Sequence, residues 1–171
     1  TLVPSFDDPW IIEGQGSAGL EAAAQMEAAG LGGPTHVVVP CGGGGLAAGT
    51  ALGLKDARIT VAEPEGWDDM RRSLEASWIE PVGDNPPPTA CDALMTPRVS
   101  ALTFDVLSRR DARGAQRWAA EALRLVVEPG GAVALAAVLE GKVEIEPGML
   151  VILSGGNVDI EAYARAMAGD G

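Results

Sequence analysis

Val37-Val38-Val39-Pro40-Cys41-Gly42-Gly43-Gly44-Gly45-Leu46-Ala47-Ala48-Gly49-Thr50-Ala51-Leu52 is the stretch that decides the fold. Three β-branched residues in succession read as a short strand covered on both faces, the mark of a parallel sheet. Four glycines follow, then a run of small, helix-compatible residues. A strand that ends in a side-chain-free loop and passes into a helix offers bare backbone N–H groups, and the helix adds the positive end of its dipole. The order predicts an anion site, with a phosphate-bearing ligand first among the candidates; the plainer alternative is a flexible glycine turn.

Working outward, Thr1 to Trp10 reads as a Pro- and Asp-rich loop, and Ser17 to Ala29 as a helix that Ser17 caps and Gly30 ends. Ile59 to Ala62 is a second strand, with a helix starting near Trp67 or Asp68. Pro86-Pro87-Pro88 excludes regular helix or central strand from Val82 to Cys91. Helices are expected around Thr103–Arg110, Ala115–Leu125, Gly130–Leu139 and Ile160–Met167. A third strand, Met149–Leu153, runs into Ser154-Gly155-Gly156-Asn157. Alternating strands and helices give an α/β fold: an open, mainly parallel twisted sheet with helices on both faces. Ligands of such sheets gather at the carboxyl ends of strands, where two Gly-rich loops are expected to meet.

The chain has 171 residues, 47% of them hydrophobic, enough for one well-buried domain. Its formal charge of −12 repels a phosphate backbone, so nucleic acid is not an expected partner. No apolar run is long enough to cross a bilayer, so a membrane is not expected either. Cys41 and Cys91 make neither a disulfide framework nor a zinc pattern, which points to a cytoplasmic setting. Beside the glycine loop, Cys41 reads as a small buried residue. His36 is the sole histidine, which excludes a histidine-based metal cluster.

Five motifs in order resemble one family: Gly14-Gln15-Gly16-Ser17, Pro40 to Leu46, Glu63-Pro64-Glu65-Gly66, Val127 to Ala132, and Leu153-Ser154-Gly155-Gly156-Asn157. They are similar to the threonine dehydratase, serine racemase and hydroxyaspartate dehydratase group of fold-type II pyridoxal-phosphate enzymes, across nearly the whole chain. Pro4 to Pro9 adds a likeness to the hydroxyaspartate branch. The resemblance implies that Gly42, Gly43, Gly44 and Gly45 hold the phosphate of pyridoxal 5'-phosphate, and that Ser154 faces its pyridine nitrogen. A hydroxyl there leaves the ring largely unprotonated, a mild electron sink suited to β-elimination. Asn157 is expected to brace that loop, and Glu128 to stand near the substrate pocket or merely to favour a helix N-terminus.

Glu63 and Asp69 are hard oxygen ligands spaced to converge at a strand end, suited to Mg²⁺ or Ca²⁺. The family resemblance adds a backbone carbonyl between them, by position that of Trp67. The alternative is that Asp68 and Asp69 only complement a helix dipole. The family also requires a Schiff-base lysine in an N-terminal segment, and here only Lys55 and Lys142 occur, neither in such a motif. Residues 1–171 are therefore expected to be the C-terminal, large-domain portion of a longer enzyme, inactive without that segment. The implied enzyme is a lyase that dehydrates a small hydroxy amino acid to a 2-oxo acid and ammonia, or a racemase, working as a homodimer. A non-catalytic phosphate-binding module and a nucleotide-binding Rossmann domain are the rival readings. Against the latter, the glycines are consecutive rather than spaced.

Overall fold

The computed structural model describes residues 2–109, 112–116 and 127–168. Four parallel strands form one sheet: β1 (His36–Pro40), β2 (Arg58–Glu63), β3 (Ala112–Gln116) and β4 (Met149–Val151), in the order β3-β2-β1-β4. The register sets His36 between Arg58 and Met149, and Val38 between Thr60 and Val151. Every residue of β1 is buried, as expected of a strand between two layers.

Period-two alternation sends the strand side chains into two cores. Val37, Val39, Ile59 and Val61 pack with residues of α1 (Pro9–Ala28), α2 (Gly45–Gly53), α3 (Asp69–Ala76) and α4 (Ala101–Ser108). Val38 and Ala62 pack on the opposite face against Val133, Ala134 and Ala137 of α5 (Pro129–Leu139). Each fully buried valine contributes about 1.5–3 kcal/mol of transfer free energy. α6 (Ile160–Ala168) follows β4. No described helix is long and apolar enough to cross a membrane.

The first helix starts eight residues before the expected Ser17, because Asp8 and Pro9 form its N-terminus. Asp8 Oδ1 accepts from the amides of Trp10 at 2.8 Å and Ile11 at 3.3 Å, and Pro9 occupies the first turn. Ser17 is an interior residue whose hydroxyl donates to the Gly14 carbonyl. The third expected strand is shorter, ending at Val151. β3 is an addition to the expected strands. The helix expected over Ala115–Leu125 lies outside the described residues from 117 onward, and Ala115 and Gln116 belong to β3.

At the amino ends of the strands, buried His36 ties three segments together. Its Nε2 lies 2.8 Å from Thr60 Oγ1 and its Nδ1 2.8 Å from Glu146 Oε1, while Arg58 also pairs with Glu146. Thr35 adds a backbone bond to Gly148 at 3.0 Å. This polar knot fixes short β4 beside β1, and so sets where the loop after β4 emerges at the other end.

Candidate functional site

The glycine loop turns sharply at Gly44, whose φ of 92° is left-handed and suits only a residue without a Cβ. A Cβ there would also lie 2.8 Å from the methyl of Met70 and 2.9 Å from Thr103 Cβ. The turn delivers the chain into α2, whose first hydrogen bond runs from the Ala48 amide to the Gly44 carbonyl at 2.8 Å. Among the described residues no backbone carbonyl accepts from the amides of Gly42, Gly43, Gly44 or Gly45. Four donors at a helix N-terminus are thus left for a ligand.

Ser154 stands on the loop after β4. Gly131 lets this loop lie directly on the first turn of α5: a Cβ there would overlap the Ser154 carbonyl oxygen. The Ser154 amide donates to the Gly131 carbonyl at 3.3 Å. Glu128 completes the brace, its amide donating to Gly155 at 3.4 Å and its Oε2 accepting from the Asn157 amide at 3.1 Å. The expected bracing role of Asn157 is therefore carried by its backbone, with Glu128 as the side-chain partner.

Gly42, Gly43, Gly44, Gly45, Ser154 and Glu128 all line one cavity of about 480 Å³. The two Gly-rich loops do meet at one end of the sheet. Phe6, Gln15, Gly130 and Gly131, which also line the cavity, fall within the motifs of the family resemblance but carried no assigned role, and Ala93, Leu94 and Thr96 were not marked at all. The Phe6 ring lies against Gly43, leaving no room for a side chain there. Gln15 reaches back to the Ser5 carbonyl at 2.9 Å, and Ala93, Leu94 and Thr96 come from the irregular segment after the prolines. For Phe6 the available signal was the family likeness of Pro4 to Pro9; the irregular segment has no periodicity to give it away. Lys55 and Lys142 are exposed and line no part of this cavity.

Glu63, Trp67 and Asp69 gather outside the cavity, around the start of α3. Glu63 is fully buried at the end of β2, and its two oxygens accept from the amides of Met70 and Arg71, each at 2.9 Å. Glu63 thus caps the α3 amides from outside the helix, while Asp68 at the N-cap position and Asp69 in the first turn stand at the same N-terminus, as the helix-dipole alternative expects. Burial pushes the Glu63 carboxyl well above the usual range; the Arg71 amide opposes this and neighbouring Asp69 adds to it. Asp69 is 1% exposed, and neither of its oxygens has a hydrogen-bond partner of normal geometry. Burial raises it from 3.8 to about 6, although its own amide and that of Val99 lie near enough to hold it down in part. Asp68 pairs with Arg71, which also reaches Glu75 at 2.8 Å. The Trp67 side chain is anchored by its Nε1 to the Pro87 carbonyl at 2.8 Å. Among the described residues no three His, Cys, Asp or Glu side chains form a metal-ligating group.

Cys41 is buried between these two places, its Sγ 3.5 Å from the Gly42 carbonyl. Burial, then the charges of Glu63 and Asp69, push its thiol up. It is an inert packing residue, as expected.

A family model described as pyridoxal-phosphate dependent enzyme matches residues 1–155. The chain is 31% identical to a serine racemase of Dictyostelium discoideum, over 97% of this chain and 55% of that protein. It is 34% identical to a beta-hydroxyaspartate dehydratase of Paracoccus denitrificans, over 94% of this chain and 53% of that one. It superposes on the crystal structure of a T.th. threonine deaminase with a TM-score of 0.79 and 40% identity, covering 91% of this chain and 61% of that one. The chain thus spans about half the length of the curated relatives it matches. Fold, motif order and these likenesses agree, and the chain belongs to the pyridoxal-phosphate dependent enzyme family.

Proposed function

We propose that this chain is the cofactor-holding, C-terminal portion of an ammonia-lyase that dehydrates a small hydroxy amino acid, with racemisation as the alternative outcome at the same site. The observation that carries the reading is that Gly42 to Gly45 and Ser154 line one cavity, with the glycine amides unpaired among the described residues. A phosphate dianion fits such a cradle, since backbone N–H groups need no side-chain charge to hold it. Ser154 suits the ring nitrogen, offering a hydroxyl and no charge that would stabilise a pyridinium.

When bound, pyridoxal phosphate supplies an electron sink for loss of the substrate Cα proton. This chain's residues do the positioning. The glycine amides and the α2 N-terminus would hold the phosphate, and the Ser154 hydroxyl would meet the ring nitrogen. Phe6 and Leu94 exclude water from the walls, and Glu128 holds the Ser154 loop in place. The lysine that moves the Cα proton would lie on a segment preceding Thr1, since neither lysine of this chain lines the cavity.

Glu63, Asp69 and the Trp67 carbonyl are proposed to hold Mg²⁺ or Ca²⁺. Support comes from the orphaned, fully buried oxygens of Asp69 beside a second buried carboxylate. Water would complete the oxygen shell such ions take. Its part would be to stiffen the fold rather than to touch substrate. On the pattern of the family the enzyme is taken as a cytoplasmic homodimer, and sedimentation of the natural protein tests that state.

The deciding experiment adds pyridoxal phosphate to the natural protein in its full length. A visible absorbance band that borohydride fixes to one lysine, with 2-oxo acid and ammonia formed from serine, threonine or 3-hydroxyaspartate, is the expected result. Neither band nor product would overturn the reading. The exposed positions of Lys55 and Lys142 favour a second reading for the chain alone, a phosphate-ligand module. Saturable binding without borohydride fixation would select it.

A further inference from the structure

Thr103 lies on α4, 60 residues from the glycine loop, yet its Oγ1 is 2.8 Å from the Gly43 carbonyl oxygen. The side chain is fully buried. Its place is set by Ser100, the N-cap of α4, whose hydroxyl accepts from the Thr103 amide at 3.1 Å and lies 3.1 Å from Thr103 Oγ1. The Thr103 hydroxyl proton has three acceptors in reach, Gly43 O at 2.8 Å, Ser100 Oγ at 3.1 Å and Ser100 O at 3.2 Å, and the shortest contact goes to the glycine loop.

We propose that Thr103 is a positioning residue that keeps the Gly43–Gly44 peptide turned with its N–H, and not its carbonyl, toward the bound phosphate. In a trans peptide the carbonyl of one residue and the N–H of the next point in opposite directions, and the described chain has no cis bond. A Gly43 carbonyl tied to α4 therefore aims the Gly44 N–H away from α4, and Gly44 lines the cavity. Glycine on both sides makes rotation of this peptide sterically easy. Once turned, it would present a carbonyl oxygen to a dianion. The Thr103 hydroxyl selects the orientation that attracts, by bonding the carbonyl that would otherwise repel. The pair is hidden from any sequence pattern because α4 and the loop meet only through the fold.

This inference rests on the phosphate-cradle reading above, and the experiment separates the two. In the full-length protein, affinity is measured for pyridoxal phosphate and for pyridoxal, which lacks the phosphate, in wild type, Thr103→Val and Thr103→Ser. Thr103→Val is expected to weaken pyridoxal phosphate about tenfold, the worth of one buried hydrogen bond to a charge-binding loop, and to leave pyridoxal unchanged. Thr103→Ser is expected to restore the wild-type preference. Equal weakening of both ligands by Thr103→Val, or no weakening of either, overturns the positioning role. A wild type with no preference for the phosphorylated form overturns the cradle itself, and the inference with it. Where Thr103→Val does not fold, Ser100→Ala, which frees the Thr103 hydroxyl to rotate, is expected to lower the same preference about threefold. An unchanged preference there also overturns it.

Discussion

Asp69 offers the sharpest test of the acidic cluster at the start of α3. Its carboxylate is 1% exposed, has no hydrogen-bond partner of normal geometry, and is raised from 3.8 to about 6, chiefly by burial. At roughly 1.4 kcal/mol per tenfold change in proton affinity, a rise of that size withholds about 3 kcal/mol from the folded state once the group is charged. The sign follows from the direction. Well below pH 3.8 the carboxyl is protonated in both states and nothing is lost; stability then falls as pH rises from 3.8 to about 6, and the loss is complete above that. Asp69→Asn keeps the shape and removes the charge. In chelator, it is expected to unfold in urea with about 1–2 kcal/mol more stability than wild type at pH 7.5, part of the gain being offset by the unmet amide. The two curves should converge as pH falls below 3.8. Saturating Mg²⁺ or Ca²⁺ should stabilise wild type and leave Asp69→Asn unmoved. Curves that differ by the same amount at every pH, or coincide throughout, would refute the burial argument.

Three further outcomes are expected. Gly131→Ala places a methyl on the Ser154 carbonyl oxygen, so it should lower stability by roughly 3 kcal/mol and weaken pyridoxal phosphate binding together, read by thermal melting and cofactor titration. Ser154→Ala should leave the melting temperature of the cofactor-free protein within about a degree while shifting the absorbance of bound cofactor, since a half-buried loop hydroxyl carries little folding energy and is proposed to meet the ring. Cys41 and Cys91 are buried and their thiols are pushed up, so neither should react with a thiol reagent at pH 8 until urea unfolds the protein, as counted by mass spectrometry.

What the sequence disclosed follows from which forces are local. β1 and β2 were legible because continuous β-branched runs have one comfortable home, the middle of a parallel sheet. The glycine loop was legible because it immediately follows such a run, whereas Ser154 was singled out by the family resemblance of Leu153 to Asn157. β3 was not: Ala112-Arg113-Gly114-Ala115-Gln116 has almost no strand propensity, and it is extended because it pairs with β2 from Ile59 to Glu63 at the sheet edge. The start of α1 differs for another reason. Asp8 and Pro9 read as loop formers, although an acid followed by proline is equally a helix start, and only the bonds from Trp10 and Ile11 decide between them. Thr103 stayed hidden because its partner is remote in the chain, and a buried threonine on a helix looks like any other in sequence; Phe6 lay in a quoted motif, but its place against Gly43 is set only by the fold.

The placement of the acidic pair bears on the cofactor loop itself. Glu63 and Asp69 are close enough to raise the Cys41 thiol, and Cys41 directly precedes the first cradle glycine. Met70 joins the two places: its amide donates to Glu63, and its methyl lies against Gly44. Two buried carboxyl groups therefore stand behind a loop whose proposed ligand is a dianion, in a protein already at −12, and each repels that ligand when it ionises. Neutral amides offset such a field only at short range, which is why loop geometry, and not net charge, has to carry the binding. A divalent cation held by Glu63 and Asp69 would cancel that field at its source. The same ion would pin Glu63, and with it the α3 turn that sets Met70 against the loop. Cation and phosphate would then favour one another, and by linkage each would tighten the other by the same factor.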